Sequence, residues 1–303
     1  MTARTQTEIY RPFRGTLQPA SSGSLALARV GIAAALKKKL PLVVLLAPPA
    51  IGAIIISFVV YARFSVEQGA APEVLGGPSP ASVIAAGFAK SMLQVRELIM
   101  YFHLATSVFS LLVIAWFGAG LVADDRRTGA HLLYFSRPLT VGGFLAAKFL
   151  TLFFFALLTV LLPSLVICTV ATFASPDWAF LKEESRVVYA SIGFGFLWAV
   201  VWSSVMLSIS SLFARKTFAL VASFAFFMLS GAIAVVLANL QDDDRYLALS
   251  LQGNFRRVAI WMFDMKPRGL DWAVGWSFAG LAATTVLAWT ILVARARRME
   301  ASA

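Results

Sequence analysis

The sequence predicts an all-α, polytopic membrane protein with six transmembrane helices, and three observations carry the prediction. Six apolar runs, at about 42–61, 101–121, 150–173, 188–213, 217–240 and 272–293, each reach the ~20 residues a helix needs to cross a bilayer. None of the six contains Asp, Glu, Lys or Arg. Of the 303 residues, 59% are hydrophobic and 14% charged, the balance of a chain whose solvent is largely lipid.

The charges between the runs set an orientation. The side that carries both termini has sixteen Lys and Arg against four acids, a net +12, and the other side has ten against eleven, a net −1. The excess of Lys and Arg marks the cytoplasmic side, so both termini are expected there. The formal net charge of +11 is then flanking charge of membrane spans, not a surface for nucleic acid.

Residues 1–21, with Pro12, Pro19 and scattered Arg, are expected to form a loose cytoplasmic tail. An interfacial helix is expected within 22–40. Ser24 is placed to cap it, Ala28, Ile32 and Ala35 share one face, and Lys37, Lys38 and Lys39 stand at its end to meet anionic head groups. The alternative is a plain extension of the first span. The six-span domain follows over 41–298. Its first run starts too late and is too long for a cleaved leader, and reads as a retained anchor. Pro48 and Pro49 remove backbone donors within it and predict a kink.

The loop 62–100 is turn-rich in its first half. In its second half, Ile84, Phe88, Met92, Val95 and Ile99 form a helical stripe, fitting an amphipathic outer helix or an extension of the second span. His103, at the start of that span, reads as a structural hydrogen bonder. Cys168, the single cysteine, allows no intrachain disulfide and reads as a small lipid- or helix-facing residue. The loop 241–271 opens on Asp242, Asp243 and Asp244, which fit a solvated turn better than a cation loop, where ligands alternate. The stretch Tyr246–Met265 is too apolar for a free loop. It is expected to bury against the spans or to dip as a helix-turn-helix, with its turn at Gly253 and Asn254 and Trp261 at head-group level. Gly253, Asn254 and Trp261 are the candidate outer gate.

Several chemistries lack their residues. No phosphate-cradling glycine loop, paired-His metal helix or nucleophile elbow occurs. Polar residues inside the runs are mainly hydroxyls, among them Ser110, Ser203, Ser204, Ser208, Ser223 and Ser277, which suit helix packing. Ion-coupled carriers and intramembrane enzymes need buried ionisable groups, so neither class is favoured. No catalytic residue, metal ligand or cofactor site is expected in this chain. If the protein moves a substrate against a gradient, the energy has to arrive from a separate subunit on the cytoplasmic side.

The connection 122–138 offers a docking point for such a subunit. A charged helical segment with Asp124, Asp125, Arg126 and Arg127 breaks at Gly129; an apolar turn follows through Tyr134 and Phe135; Ser136, Arg137 and Pro138 end it; Thr140 is placed to cap the next span. This stretch resembles the type 2 export class of ABC transporter permeases, in which an acid, Arg and Gly precede an apolar stretch, then Ser-Arg-Pro, then Phe and Lys entering the third span. Asp125, Arg126, Gly129, Ser136, Arg137, Pro138, Phe144 and Lys148 match that pattern. Asp125, Arg127 and Ala130 depart from the commoner Glu, acid and Thr. The resemblance implies a type 2 ABC exporter permease-like bundle in a bacterial cytoplasmic (inner) membrane. It implies a second permease copy or homologue as partner, and ABC-type ATP-binding subunits below that carry ATP and magnesium. Asp124, Asp125, Arg126, Arg127, Gly129, Tyr134, Phe135, Ser136, Arg137 and Pro138 become the candidate ATPase-coupling residues. The rival expectation is a permease-like subunit that passes ATPase motion to an envelope machine without carrying a substrate.

Overall fold

The computed structural model describes residues 20–68, 94–135, 139–267, 270 and 272–301. The protein is an all-α, multi-pass membrane protein: six helices are long and apolar enough to cross a bilayer, and no strand occurs among the described residues. In chain order the helices are α1 (Ala20–Leu36), α2 (Lys39–Glu67), α3 (Val95–Thr128), α4 (Ala130–Phe135), α5 (Val141–Ala174), α6 (Ala179–Glu183), α7 (Ser185–Leu212), α8 (Lys216–Gln241), α9 (Leu251–Met262) and α10 (Val274–Glu300). The spanning helices are α2, α3, α5, α7, α8 and α10.

Three of these helices make the centre. The most apolar stretches of α3, α5 and α7 are 67%, 50% and 67% buried, against 22%, 17% and 22% in α2, α8 and α10. The outer three present residues such as Ile54, Phe58, Val221, Leu240, Val286 and Leu287 outward, and a helix apolar on every side is at home only where its free face meets lipid. Between the inner helices the contacts are small residues and hydroxyls. Thr159 Oγ1 donates to Ser110 Oγ at 2.9 Å, and Trp198 Nε1 donates to the same oxygen at 3.2 Å, so one hydroxyl joins α3, α5 and α7. Trp289 Nε1 donates to Ser204 Oγ at 3.0 Å, fastening α10 to α7. These bonds fit the packing role expected of the hydroxyls. Cys168 faces α7, with its sulfur 3.8 Å from Ser191 Oγ.

Several boundaries differ from the sequence expectation. The charged segment 122–128 is not a separate helix but the continuation of α3, which also takes in Val95 and Ile99 at its other end. A capping box of Gln94 and Glu97 starts α3 there, so part of the expected outer stripe is an extension of the second span. Ile84, Phe88 and Met92 lie outside the described residues. Ser24 does not cap α1, which begins four residues earlier. The chain breaks at Lys37 and Lys38, so α1 is a helix in its own right, not the foot of α2. Packing decides its extent: Ala28 is buried, and Thr151 Oγ1 of α5 donates to its carbonyl at 3.4 Å. α2 runs on through Pro48 and Pro49. Residues 1–19 lie outside the described residues.

His103 is a correction of a different kind. It is fully buried in α3, and neither ring nitrogen has a hydrogen-bond partner among the described residues. Its ring instead meets Phe194 at 5.3 Å and Phe263 at 5.7 Å, so it packs as an aromatic.

Candidate functional site

The connection between α3 and α5 is the richest in sequence motif, and its geometry begins with how α3 ends. Gly129 takes the left-handed conformation, with φ 71°, which glycine adopts without the Cβ clash other residues meet. Arg126 and Arg127 sit in the preceding turn, where positive charge complements the helix dipole. The chain then turns into α4, and His131 Nδ1 lies 3.2 Å from the Asp125 carbonyl, folding α4 back against the end of α3.

The end of α3 is fastened on two sides. Toward α7, Arg126 donates to the Ser211 carbonyl at 2.8 Å. Ser210 Oγ donates to the Ala119 carbonyl at 2.8 Å and accepts from the Val122 and Ala123 amides, each at 3.2 Å. Toward α5, Lys148 Nζ lies 2.6 Å from Asp125 Oδ2, and the two side chains are only 10% and 15% exposed. The ammonium also stands 5.4 Å from the Phe144 ring centre and 5.7 Å from that of Tyr134, within cation–π reach of both. Tyr134 meets Phe144 at 5.8 Å. Burial, reinforced by the nearby negative Asp125, raises the Tyr134 phenol above its ordinary pKa. Thr140 caps α5 as expected, accepting from the Gly143 amide at 3.1 Å.

Asp125, Tyr134, Phe144 and Lys148 therefore gather in one knot, while Arg126 ties the same helix end to α7 and Gly129 ends the helix. Asp124 and Arg127 stand apart as a surface pair 3.8 Å apart, a contact of little energy. Ser136, Arg137 and Pro138 lie outside the described residues, as does the side chain of Phe135. The sequence reading missed Ser210 and Ser211. They are part of a hydroxyl run at the end of a span, and only the fold shows which of those hydroxyls reach α3.

The second candidate site lies at the opposite end of the bundle. There Asp242 ends α8 in the left-handed conformation, and Asp243 caps a 3₁₀ turn, Asp244–Leu249, by accepting from the Arg245 amide at 2.9 Å. The expected turn at Gly253 and Asn254 is displaced. Ser250 makes the turn and caps α9, accepting from the Gly253 amide at 2.7 Å, so Gly253 and Asn254 fall in the first helical turn. A serine oxygen that satisfies a free helix amide fixes the start more firmly than glycine loosens it. Gly253 is there for space, because a Cβ would collide with the Leu247 carbonyl.

α9 lies over the inner helices as a cover. Phe255 and Val258 are buried, and Phe255 meets Trp198 at 4.6 Å. Gln252 Nε2 donates to the Phe227 carbonyl of α8 at 2.7 Å. Asn254 donates to the Ala248 carbonyl at 2.8 Å, and Trp261 packs edge-on to Phe278 of α10 with half its surface exposed. Beyond α9, Asp264 lies 3.2 Å from Arg186 and 3.7 Å from Arg96, while Arg96 also meets Glu184 at 2.7 Å. No group of three or more His, Cys, Asp or Glu gathers to hold a metal among the described residues.

A family described as "Protein of unknown function (DUF2705)" matches residues 50–302, which takes in the second part of α2, the other five spans, the connection 122–138 and α9. The chain belongs to that family. No curated protein matches it. The family match begins after α1, so the knot at the end of α3 and the cover formed by α9 lie within the shared part, and α1 lies before it.

Proposed function

We propose that this chain is the membrane-spanning permease subunit of an ATP-driven ABC export complex. Both termini are cytoplasmic, and the membrane is a bacterial inner membrane. The observation that carries the reading is the Asp125–Lys148 pair beneath the Gly129 break. It braces α4 and the start of α5 so that a push on the loop moves α3 and α5 together. A connection meant only to link two spans needs no buried ion pair, because desolvating two charges is costly. A lever needs a stiff root, and here the root ties α3 to both α5 and α7.

On this reading the ATP-binding subunits dock against residues 122–138, hold the ATP and magnesium, and transmit closure through Arg126, Gly129 and Tyr134. The chain itself catalyses no reaction. It pairs with a second permease copy or homologue, and α9, with Gly253, Asn254 and Trp261, forms the outer gate over the path. The +12 to −1 charge division and the match of motif residues support the same view.

Co-purification tests the proposal. Gly129→Val and Arg126→Glu are expected to weaken association with the ATP-binding subunits while the protein still inserts. Unchanged association and unchanged substrate-stimulated ATP hydrolysis leave the loop a connector. Solute movement by the reconstituted complex separates a carrier from a subunit that only passes on ATPase motion.

A further inference from the structure

A cleft of about 270 Å³ opens between α1, α3, α5 and α8, at the end of the bundle where α3 finishes and α8 begins. Its walls include Val30 and Leu121, and its rim carries Lys38, Lys216 and Asp124. Lys38 immediately precedes α2, Lys216 opens α8 and Asp124 stands near the end of α3, so the rim lies at head-group level on any placement of these spans in a bilayer. The lining is mixed: Leu27, Val30, Ala34 and Leu121 are apolar, with Val30 64% exposed, while Asp125, Tyr134 and Lys148 of the α3–α5 knot also face the cleft.

The charges on this rim are arranged for a ligand that carries both signs. Lys216 has no carboxylate within 4.0 Å among the described residues; its ammonium rests 4.6 Å from the ring centre of Trp116. Within 4.0 Å, the Asp124 carboxylate meets a single cation among the described residues, Arg127 at 3.8 Å. The two face the same space without pairing to each other. Gly120 keeps that space open: a Cβ there would come within 2.5 Å of the Asp124 carboxylate and 3.4 Å of the Lys216 side chain. An opposed cation and anion at the membrane surface, beside the apolar side chains of α1 and Leu121, match a head group with a phosphate and a protonated amine above acyl chains.

We propose that this cleft binds an aminophospholipid of the phosphatidylethanolamine type. Its phosphate sits between Lys38 and Lys216, its ammonium meets Asp124, and the start of an acyl chain lies along Val30 and Leu121. The site joins α1 to the end of α3, so the bound lipid cements the interfacial helix to the bundle. The inference goes beyond the transport reading: the cleft shares Asp124 with the segment 122–138, but its test reads lipid retention by the isolated protein, with no ATP-binding partner present.

Native mass spectrometry of the purified, delipidated full-length protein tests the proposal. The probes are phosphatidylethanolamine, phosphatidylglycerol and phosphatidylcholine of matched chains, with glycerophosphoethanolamine as the chainless head group. A single phosphatidylethanolamine is expected to be retained about tenfold more tightly than the other two lipids, the yield of one charge-assisted hydrogen bond. Lys216→Ala is expected to weaken all three lipids by about tenfold. Asp124→Asn is expected to abolish only the preference for phosphatidylethanolamine. Helical circular dichroism and a single elution peak check that each variant folds, and Lys38→Ala replaces Lys216→Ala if the latter fails. Equal retention of the three lipids, a preference for phosphatidylglycerol, retention indifferent to the lysine, or binding of the chainless head group as tight as that of the lipid each overturns the proposal.

Discussion

Lys148 Nζ of α5 lies 2.6 Å from Asp125 Oδ2 of α3, with both side chains almost wholly withdrawn from solvent. The two residues are 23 positions apart, and everything between them is the connection that carries the motif. The pair closes that connection at its base, and the Tyr134 and Phe144 rings flank the ammonium. On the proposed reading, motion imposed on α4 passes through this pair to the roots of two inner spans.

The pair should behave as a buried ion pair in a double-mutant cycle. Asp125→Asn or Lys148→Met alone leaves a buried charge unpaired and is expected to destabilise the protein by about 3 kcal/mol. The double variant is expected to recover most of that loss. Denaturation in detergent measures all four proteins. Additive losses would mean that the two charges act separately.

Gly129 carries a different burden. A β-branched residue has to adopt φ 71° against its own Cβ or move α4, at a cost of roughly 1–2 kcal/mol. Gly129→Val is expected to lower the melting temperature modestly and to speed amide exchange over 130–135, while Gly129→Asn, which tolerates that region better, stays close to the wild type. Identical behaviour of the two variants would contradict the assigned strain.

Much of this architecture was legible in the sequence. The six spans, the Gly129 break and the Thr140 cap each follow from local chemistry: apolar length, a residue free of Cβ, and a hydroxyl before a helix. What escaped was set by distant parts of the chain. Ser24 falls inside α1, a helix that α5 supports at Ala28, and the His103 ring finds no hydrogen-bond partner among the described residues because it packs against Phe194 and Phe263. The turn before α9 was misplaced for a local reason: Ser250 is itself a cap signal, but Gly253-Asn254 is the louder turn signal. Among the candidate coupling residues, the sequence did not say that Asp125, and not its neighbour Asp124, is the one buried against Lys148.

The cap at Ser250 holds the cover over the bundle. Ser250→Ala is expected to cost about 1 kcal/mol of local stability, or roughly fivefold faster hydrogen exchange in the first turn of α9. Exchange in α7 should be unaffected. Equal acceleration in both helices would show that α9 does not open as a unit of its own.

Orientation is open to direct labelling. In a Cys168→Ser background, a cysteine at Gly77 is expected to react with an impermeant thiol reagent on intact cells and one at Ser302 to be protected, as the charge division requires. The reverse pattern would invert the topology and remove the proposed coupling loop from the cytoplasm.

Photocrosslinking from α4 tests the central claim most directly. Leu132 is exposed on that helix, beside the knot and not within it, so a benzophenone amino acid there leaves the Asp125–Lys148 pair intact. Irradiation of cells carrying the full-length protein, followed by mass spectrometry of the adduct, is predicted to recover an ATP-binding subunit with a phosphate-binding glycine loop. An adduct only with lipid or with a protein lacking a nucleotide site, or no adduct at all, would contradict the account.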